Sequence, residues 1–167
     1  KEIEFAVSKK RHFVPVNPNK EFDGFPDNVP EQIKQSLGQH QFSHIDFEQL
    51  FESSVREMDE YRIRPILKER LREQPKGSAG ANVHRLTMIN YDVFISCKSE
   101  DYPYAHLIYK FLTDELGYVV FLADAELRKK GVAEYGEVID EALDSAEHLI
   151  LFSSKVEYIN SSYVKNE

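Results

Sequence analysis

A single cysteine, Cys97, stands in a chain of 167 residues. That excludes an internal disulfide and the paired-thiolate zinc patterns, and it fits a reducing compartment. No apolar run approaches the ~20 residues of a membrane span, and no secretory leader pattern opens the sequence. The histidines His12, His40, His44, His84, His106 and His148 show no H-E-x-x-H or related ligand spacing, so no metal site is expected. Neither G-x-G-x-x-G nor a Walker lysine loop occurs, so a nucleotide would have to be held by other means. The formal charge of -8 speaks against a phosphate-backbone binder, because nucleic-acid modules carry a concentrated basic face. These absences lead to the expectation of a cytoplasmic protein with neither nucleic acid nor membrane as partner.

What is present is one good core: 41% of the residues are apolar, and a chain of this length has room for one domain. His12-Phe13-Val14-Pro15-Val16 reads as a buried strand behind the Lys9-Lys10-Arg11 cluster, whose cations suit a helix C-terminus. A short helix is predicted from Glu31 to Leu37, closed by Gly38. Phe42 to Phe47 alternates apolar and polar residues as a strand does. Phe47, Leu50, Phe51, Val55 and Met58 then recur at helical spacing, predicting a helix to the Arg70 region with a bend at Pro65.

Residues 74–81 are small and linker-like, and the composition changes there. Val93-Phe94-Ile95-Ser96 forms the next strand. Pro103 suits the first turn of a helix carrying Ile108, Phe111, Leu112 and Leu116, and Gly117 is placed to end it. Tyr118 to Leu122 is a strand, Asp124 to Gly136 a charged loop, Glu137 to Ala146 an amphipathic helix, and Leu149 to Phe152 a last strand. Strands apolar throughout and separated by helices indicate an α/β fold, a parallel sheet covered on both faces. In such sheets ligands collect at the carboxyl ends of the strands. Candidate site segments are therefore those after Ser96, Leu122 and Phe152.

Those segments carry a pattern that resembles the TIR (Toll/interleukin-receptor) domain of immune adaptors and of NAD-consuming effectors, bacterial ones among them. Tyr91-Asp92-Val93-Phe94-Ile95-Ser96 resembles its first strand, and Ser99-Glu100-Asp101 the S-x-D after it. Gly117 to Phe121 is similar to the second strand, and Asp124 to Gly136 falls where the family has its BB loop. Ile139 to Leu143 matches the next helix, Leu149 to Ser154 the third strand and its exit, and Tyr158 to Glu167 the family's Y-[LI]-x-S-x-W-[CV]-x-x-E. The continuation of that last helix resembles Glu2-Ile3-Glu4-Phe5-Ala6, and Phe13-Val14-Pro15-Val16 resembles the fourth strand.

The resemblance implies a flavodoxin-like five-stranded sandwich in circularly permuted order, one domain over residues 1–167. Residues 1–73 form the C-terminal half of the fold, 74–90 bridge the original termini, and 91–167 form the N-terminal half. Tyr163, Ile3, Ala6 and Val7 line up as one helix stripe when the ends are joined. A slice through a tandem array, or two segments joined out of order, would give the same sheet, the tandem slice only by exchanging halves between chains.

The activity implied is NAD+ glycohydrolysis, with NAD+ as substrate and no bound cofactor. Cleavage of the nicotinamide–ribose bond passes through an oxocarbenium-like centre that a carboxylate stabilises. By resemblance that carboxylate is Glu167, counted from Tyr163, or Glu2, matched through the Ile3-Glu4-Phe5-Ala6 continuation. Tyr163 replaces the family tryptophan. Lys98 takes the place of a basic residue near the dinucleotide phosphates, Cys97 that of an aromatic, and Tyr135 that of an aromatic packing on the ligand. Asp101 and Asp124 are expected to order these loops through backbone N–H groups. A glutamate at a chain end lacks the restraint that catalysis needs, so cleavage by this chain is expected to be low or absent and restored on rejoining the helix. The competing expectation is a non-catalytic assembly module, docking on other TIR domains, copies of itself foremost, through the BB loop and its Arg128-Lys129-Lys130.

Overall fold

A computed structural model describes residues 8–18, 27, 31, 34, 42–73, 89–122 and 135–159. The elements are strand β1 (His12–Asn17), strand β2 (Ser43–His44), helix α1 (Phe51–Met58), helix α2 (Arg64–Glu73), strand β3 (Val93–Cys97), helix α3 (Tyr102–Lys110), strand β4 (Val120–Leu122), helix α4 (Tyr135–Ser145), strand β5 (His148–Phe152) and helix α5 (Val156–Ile159). The expected helix over 31–37 and the loop over 124–134 lie outside the described residues, as do the first seven residues and the last eight.

The strands form one five-stranded sheet in the order β2-β1-β5-β3-β4, and every pairing is parallel. The fold is α/β. Side chains alternate along each strand, and the two sets of alternate residues make two separate cores. Val14, Val16, Val93, Ile95, Ile150 and Phe152 pack with Val55, Met58 and Ile63 of the α1–α2 segment and with Ala105 and Ile108 of α3. Phe13, Phe94, Phe121, Leu149 and Leu151 pack on the other face with Val138, Ile139, Ala142 and Leu143 of α4. Helices thus cover both faces, as uninterrupted apolar strands require. Phe94 and Phe121 stack at 4.9 Å between centroids, and burying each such ring contributes roughly 1.5–3 kcal/mol.

Pro15 sits inside β1, where a proline would ordinarily break a ladder. Val16 O accepts from Ser153 N at 3.0 Å, so Val16 faces β5 and Pro15, one residue earlier, faces away. On that side β2 begins pairing only at Val16. The missing N–H of Pro15 therefore removes no sheet hydrogen bond.

Several boundaries differ from those expected of the sequence. The strand expected over 42–47 contracts to Ser43–His44. Oδ1 of Asp46 accepts the backbone N–H of Glu48 at 2.9 Å and of Gln49 at 3.0 Å, a local turn that competes with the ladder. For the same reason the next helix opens at Phe51 rather than at Phe47. Near Pro65 the chain passes through a π-helical turn, Asp59–Ile63, and continues as α2. A wider turn accommodates a ring that clashes with the preceding carbonyl and lacks an N–H. A second π-helical turn, Phe111–Glu115, ends α3, and Gly117 takes the left-handed conformation at φ +72° that a helix stop demands. Strand β4 starts at Val120, two residues later than expected, β5 starts at His148, and α4 opens at Tyr135.

The two sides of the 74–90 stretch are joined inside this sheet. β1 pairs along β5 from His12 to Val16. Beneath the sheet, the carboxylate of Asp59 is 0% exposed. It accepts from the Arg64 guanidinium and from the Tyr118 hydroxyl at 2.5 Å. A buried carboxylate is tolerable only with such partners.

Candidate functional site

The residues just beyond β1, β2, β3 and β5 line one cleft of about 850 Å3, at the edge where open parallel sheets hold ligands. β3 and β5 are neighbours, yet β4 lies between them in sequence and flanks β3 on its far side. Their carboxyl ends are therefore the place where the winding direction reverses.

β3 delivers Lys98 in extended backbone (φ -76°, ψ 153°). The Asp101 N–H then closes a short turn by donating to Lys98 O at 2.8 Å, and Pro103 starts α3. Asp101 is 1% exposed. Its two oxygens accept from the Ser154 N–H at 3.0 Å and from the Ser154 hydroxyl at 2.5 Å. The loop after β3 is thereby clamped to the loop after β5. A carboxylate engaged this way fixes backbone rather than meeting a ligand.

Lys98 Nζ lies 3.0 Å from a carboxylate oxygen of Glu100 and 4.3 Å from the centroid of the Tyr158 ring. The second oxygen of Glu100 accepts from Ser99 Oγ at 3.0 Å. The Glu100 carboxylate, foremost among the causes, holds the Lys98 ammonium above its ordinary pKa, and Lys98 in turn holds Glu100 below the usual carboxylate range. Lys155 approaches the same Tyr158 ring, at 5.4 Å. Cys97 is buried, packs in the core and pairs in register with Phe152. Its thiol does not line the cleft.

The apolar wall is aromatic. Phe47 meets Tyr104 edge-on at 4.9 Å and Phe152 at 5.9 Å, and Tyr104 lies nearly parallel to Phe152 at 6.3 Å. These are favourable ring geometries, and Tyr104 still keeps 43% of its surface exposed. At the β2 end, His44 Nδ1 lies 3.3 Å from Asn17 O, and since a carbonyl only accepts, that nitrogen donates.

No family model, curated protein or solved structure matches the chain. Of the residues singled out from sequence, the structure brings Lys98 and Asp101 to the reversal point and puts Cys97 beneath it. Tyr135 is the first residue of α4, its side chain outside the described residues. Glu2, Asp124, Tyr163 and Glu167 lie outside them too.

Sequence reasoning passes over Asp46, Phe47, Glu48 and Tyr104, which line the cleft. Phe47 and Leu50 fit a helix stripe by spacing, and only the turn built on Asp46 turns them toward the cleft. Among the described residues no group of three or more histidine, cysteine or acidic side chains could hold a metal ion. Among them, too, no helix is long and apolar enough to cross a membrane.

Proposed function

We propose that the chain is a TIR-type domain in circularly permuted order that cleaves the nicotinamide–ribose bond of NAD+. The observation that supports this most is the strand order. Taken in the sequence β3, β4, β5, β1, β2, the sheet order β2-β1-β5-β3-β4 becomes 2-1-3-4-5, the doubly wound order of flavodoxin-like sheets. The segments after β3 and β5, which carry TIR-like motifs, then stand at the switch point of that order.

In this reading the C1′–N1 bond breaks first, and its electron pair neutralises the cationic nicotinamide ring as it leaves. The carboxylate of Glu2 or Glu167 stabilises the positive ribosyl centre and accepts a proton from the attacking water, giving ADP-ribose. Lys98 holds diphosphate once Glu100 releases it, and Tyr135 and Tyr163 wall the ring. Asp101 and Asp124 order the loops around them, and Cys97 serves as core beneath the site.

A second reading, an assembly module without catalysis, is favoured by two observations. Lys98 is already paired with Glu100, and Cys97 is buried. In that case other TIR domains, copies of this chain included, dock through the loop bearing Arg128-Lys129-Lys130.

Nicotinamide release from NAD+ separates the two readings. It is measured for the chain as it stands and for the order 91–166 followed by 2–73, which makes the helix continuous. The rejoined order should release nicotinamide, and Glu2→Ala within it should abolish release. Release by neither order would remove the catalytic reading.

A further inference from the structure

The cleft has a chemical character of its own, independent of any reaction on NAD+. Its rim carries the carboxylates of Asp46, Glu48 and Glu100, against one ammonium among the described lining residues, Lys155. Lys98 neutralises Glu100 from outside the lining, and the remaining balance is still negative. The whole chain carries -8, which adds to the negative potential rather than offsetting it. The apolar wall is the Phe47–Tyr104 edge-to-face pair, seated on the buried Phe152, with the tyrosine ring exposed. Such a face attracts a cation, by its quadrupole as well as by the acidic rim. The volume, about 850 Å3, lies within the roughly 300–1,000 Å3 typical of small-molecule sites.

We infer that this cleft binds a small organic cation with a flat apolar body, of the arylalkylammonium kind, its ring against Tyr104 and Phe47 and its charge toward Glu48. A bare metal ion is disfavoured, because no described residues cluster as its ligands. An anion meets like charge on most of the described rim, and Lys98, to which diphosphate is assigned above, stands outside the lining. A basic loop of a second copy, such as one carrying Arg128-Lys129-Lys130, is the competing occupant.

The test uses three probes of one shape and different charge: benzylammonium, benzyl alcohol and benzoate. Each is titrated into the whole isotope-labelled chain while backbone amide shifts are monitored. Benzylammonium should move signals of residues 44–50 and 100–104 at millimolar concentration, benzyl alcohol should bind more weakly, and benzoate should not bind. Raised salt should weaken the benzylammonium response.

Tyr104→Leu should lower its affinity roughly fivefold while Tyr104→Phe keeps it, and Glu48→Gln should lower it about twofold. Both positions are exposed, and unchanged circular dichroism confirms that each variant folds. Equal response to all three probes, or none to benzylammonium, overturns the inference. Self-association in light scattering that Glu48→Gln abolishes, without benzylammonium binding, gives the cleft to a second copy and overturns it equally.

Discussion

The hydroxyl of Tyr118, just before β4, donates to the buried carboxylate of Asp59 at 2.5 Å, across 59 positions of sequence. Arg64 completes the pair from the other oxygen of Asp59. Tyr118→Phe leaves Asp59 with one partner in a dry environment, and should destabilise the fold by about 1–3 kcal/mol. Asp59→Ala should cost more than Tyr118→Phe, since it strands both the hydroxyl and the guanidinium. Urea unfolding of the two variants checks this, and a Tyr118→Phe protein as stable as the parent would refute it.

The same phenol makes an alkaline prediction. Burial first, then the Asp59 carboxylate, pushes the Tyr118 pKa from about 10 up to about 12. A group whose folded pKa is raised stabilises fully below its unfolded value and loses that contribution as pH rises through the folded one. Stability should therefore fall between about pH 10 and pH 12 more steeply in the parent than in Tyr118→Phe. Ultraviolet phenolate titration should show one tyrosine ionising last.

At the acid end the relevant group is His148, fully buried, its two ring nitrogens without a well-formed hydrogen bond among the described residues. Burial first, then the neighbouring His12, lowers its pKa from 6.5 to about 4. The unfolded chain then binds more protons than the native one between those values. Stability should fall as pH drops from about 6.5 to about 4, by roughly 3 kcal/mol from this group. Urea midpoints at pH 7 and pH 5 for the parent and His148→Leu provide the comparison, and identical pH slopes would count against it.

Asp101→Ala should detach the exit of β5 from the turn after β3. Loss of a buried acceptor used twice is expected to cost about 1–3 kcal/mol and to accelerate hydrogen exchange at the Ser154 amide. Asp101→Asn, which keeps one acceptor oxygen, should lie between the two.

Glu100→Gln should let the Lys98 pKa, now raised by that carboxylate, return toward its ordinary range. Inorganic pyrophosphate should then bind roughly two- to threefold more tightly, since an exposed pair competes only modestly. Titration monitored at the Lys98 amide decides the matter.

Much of the architecture is written in the apolar runs. Phe13 to Val16, Val93 to Ser96 and Leu149 to Phe152 name their strands because both faces are covered, and Gly117 names the end of a helix through its backbone freedom. What escapes notice is set by single polar side chains acting locally or at long range. Asp46 ends β2 by bonding to the amides of Glu48 and Gln49, a turn to which the alternation over 42–47 gives no clue. The π-helical turns shift backbone hydrogen bonds without disturbing the apolar stripe, so periodicity is silent about them.

The partnership of Asp59 with Tyr118 is invisible because it joins distant positions. At the site, sequence finds Lys98 and Asp101 through their place after a strand. It misses Phe47 and Tyr104, whose apolar rings read equally well as core.

The pairing of β1 with β5 has a consequence for how the molecule comes into being. A ribosome releases β1 long before the strand it must lie against, and β2 offers it only Ser43 and His44 as partners in the meantime. The nascent segment must therefore wait with a bare apolar ribbon, and nucleation must bridge nearly the full chain. Slow refolding, with β1 open to chaperones until β5 emerges, is the expected result of that one seam.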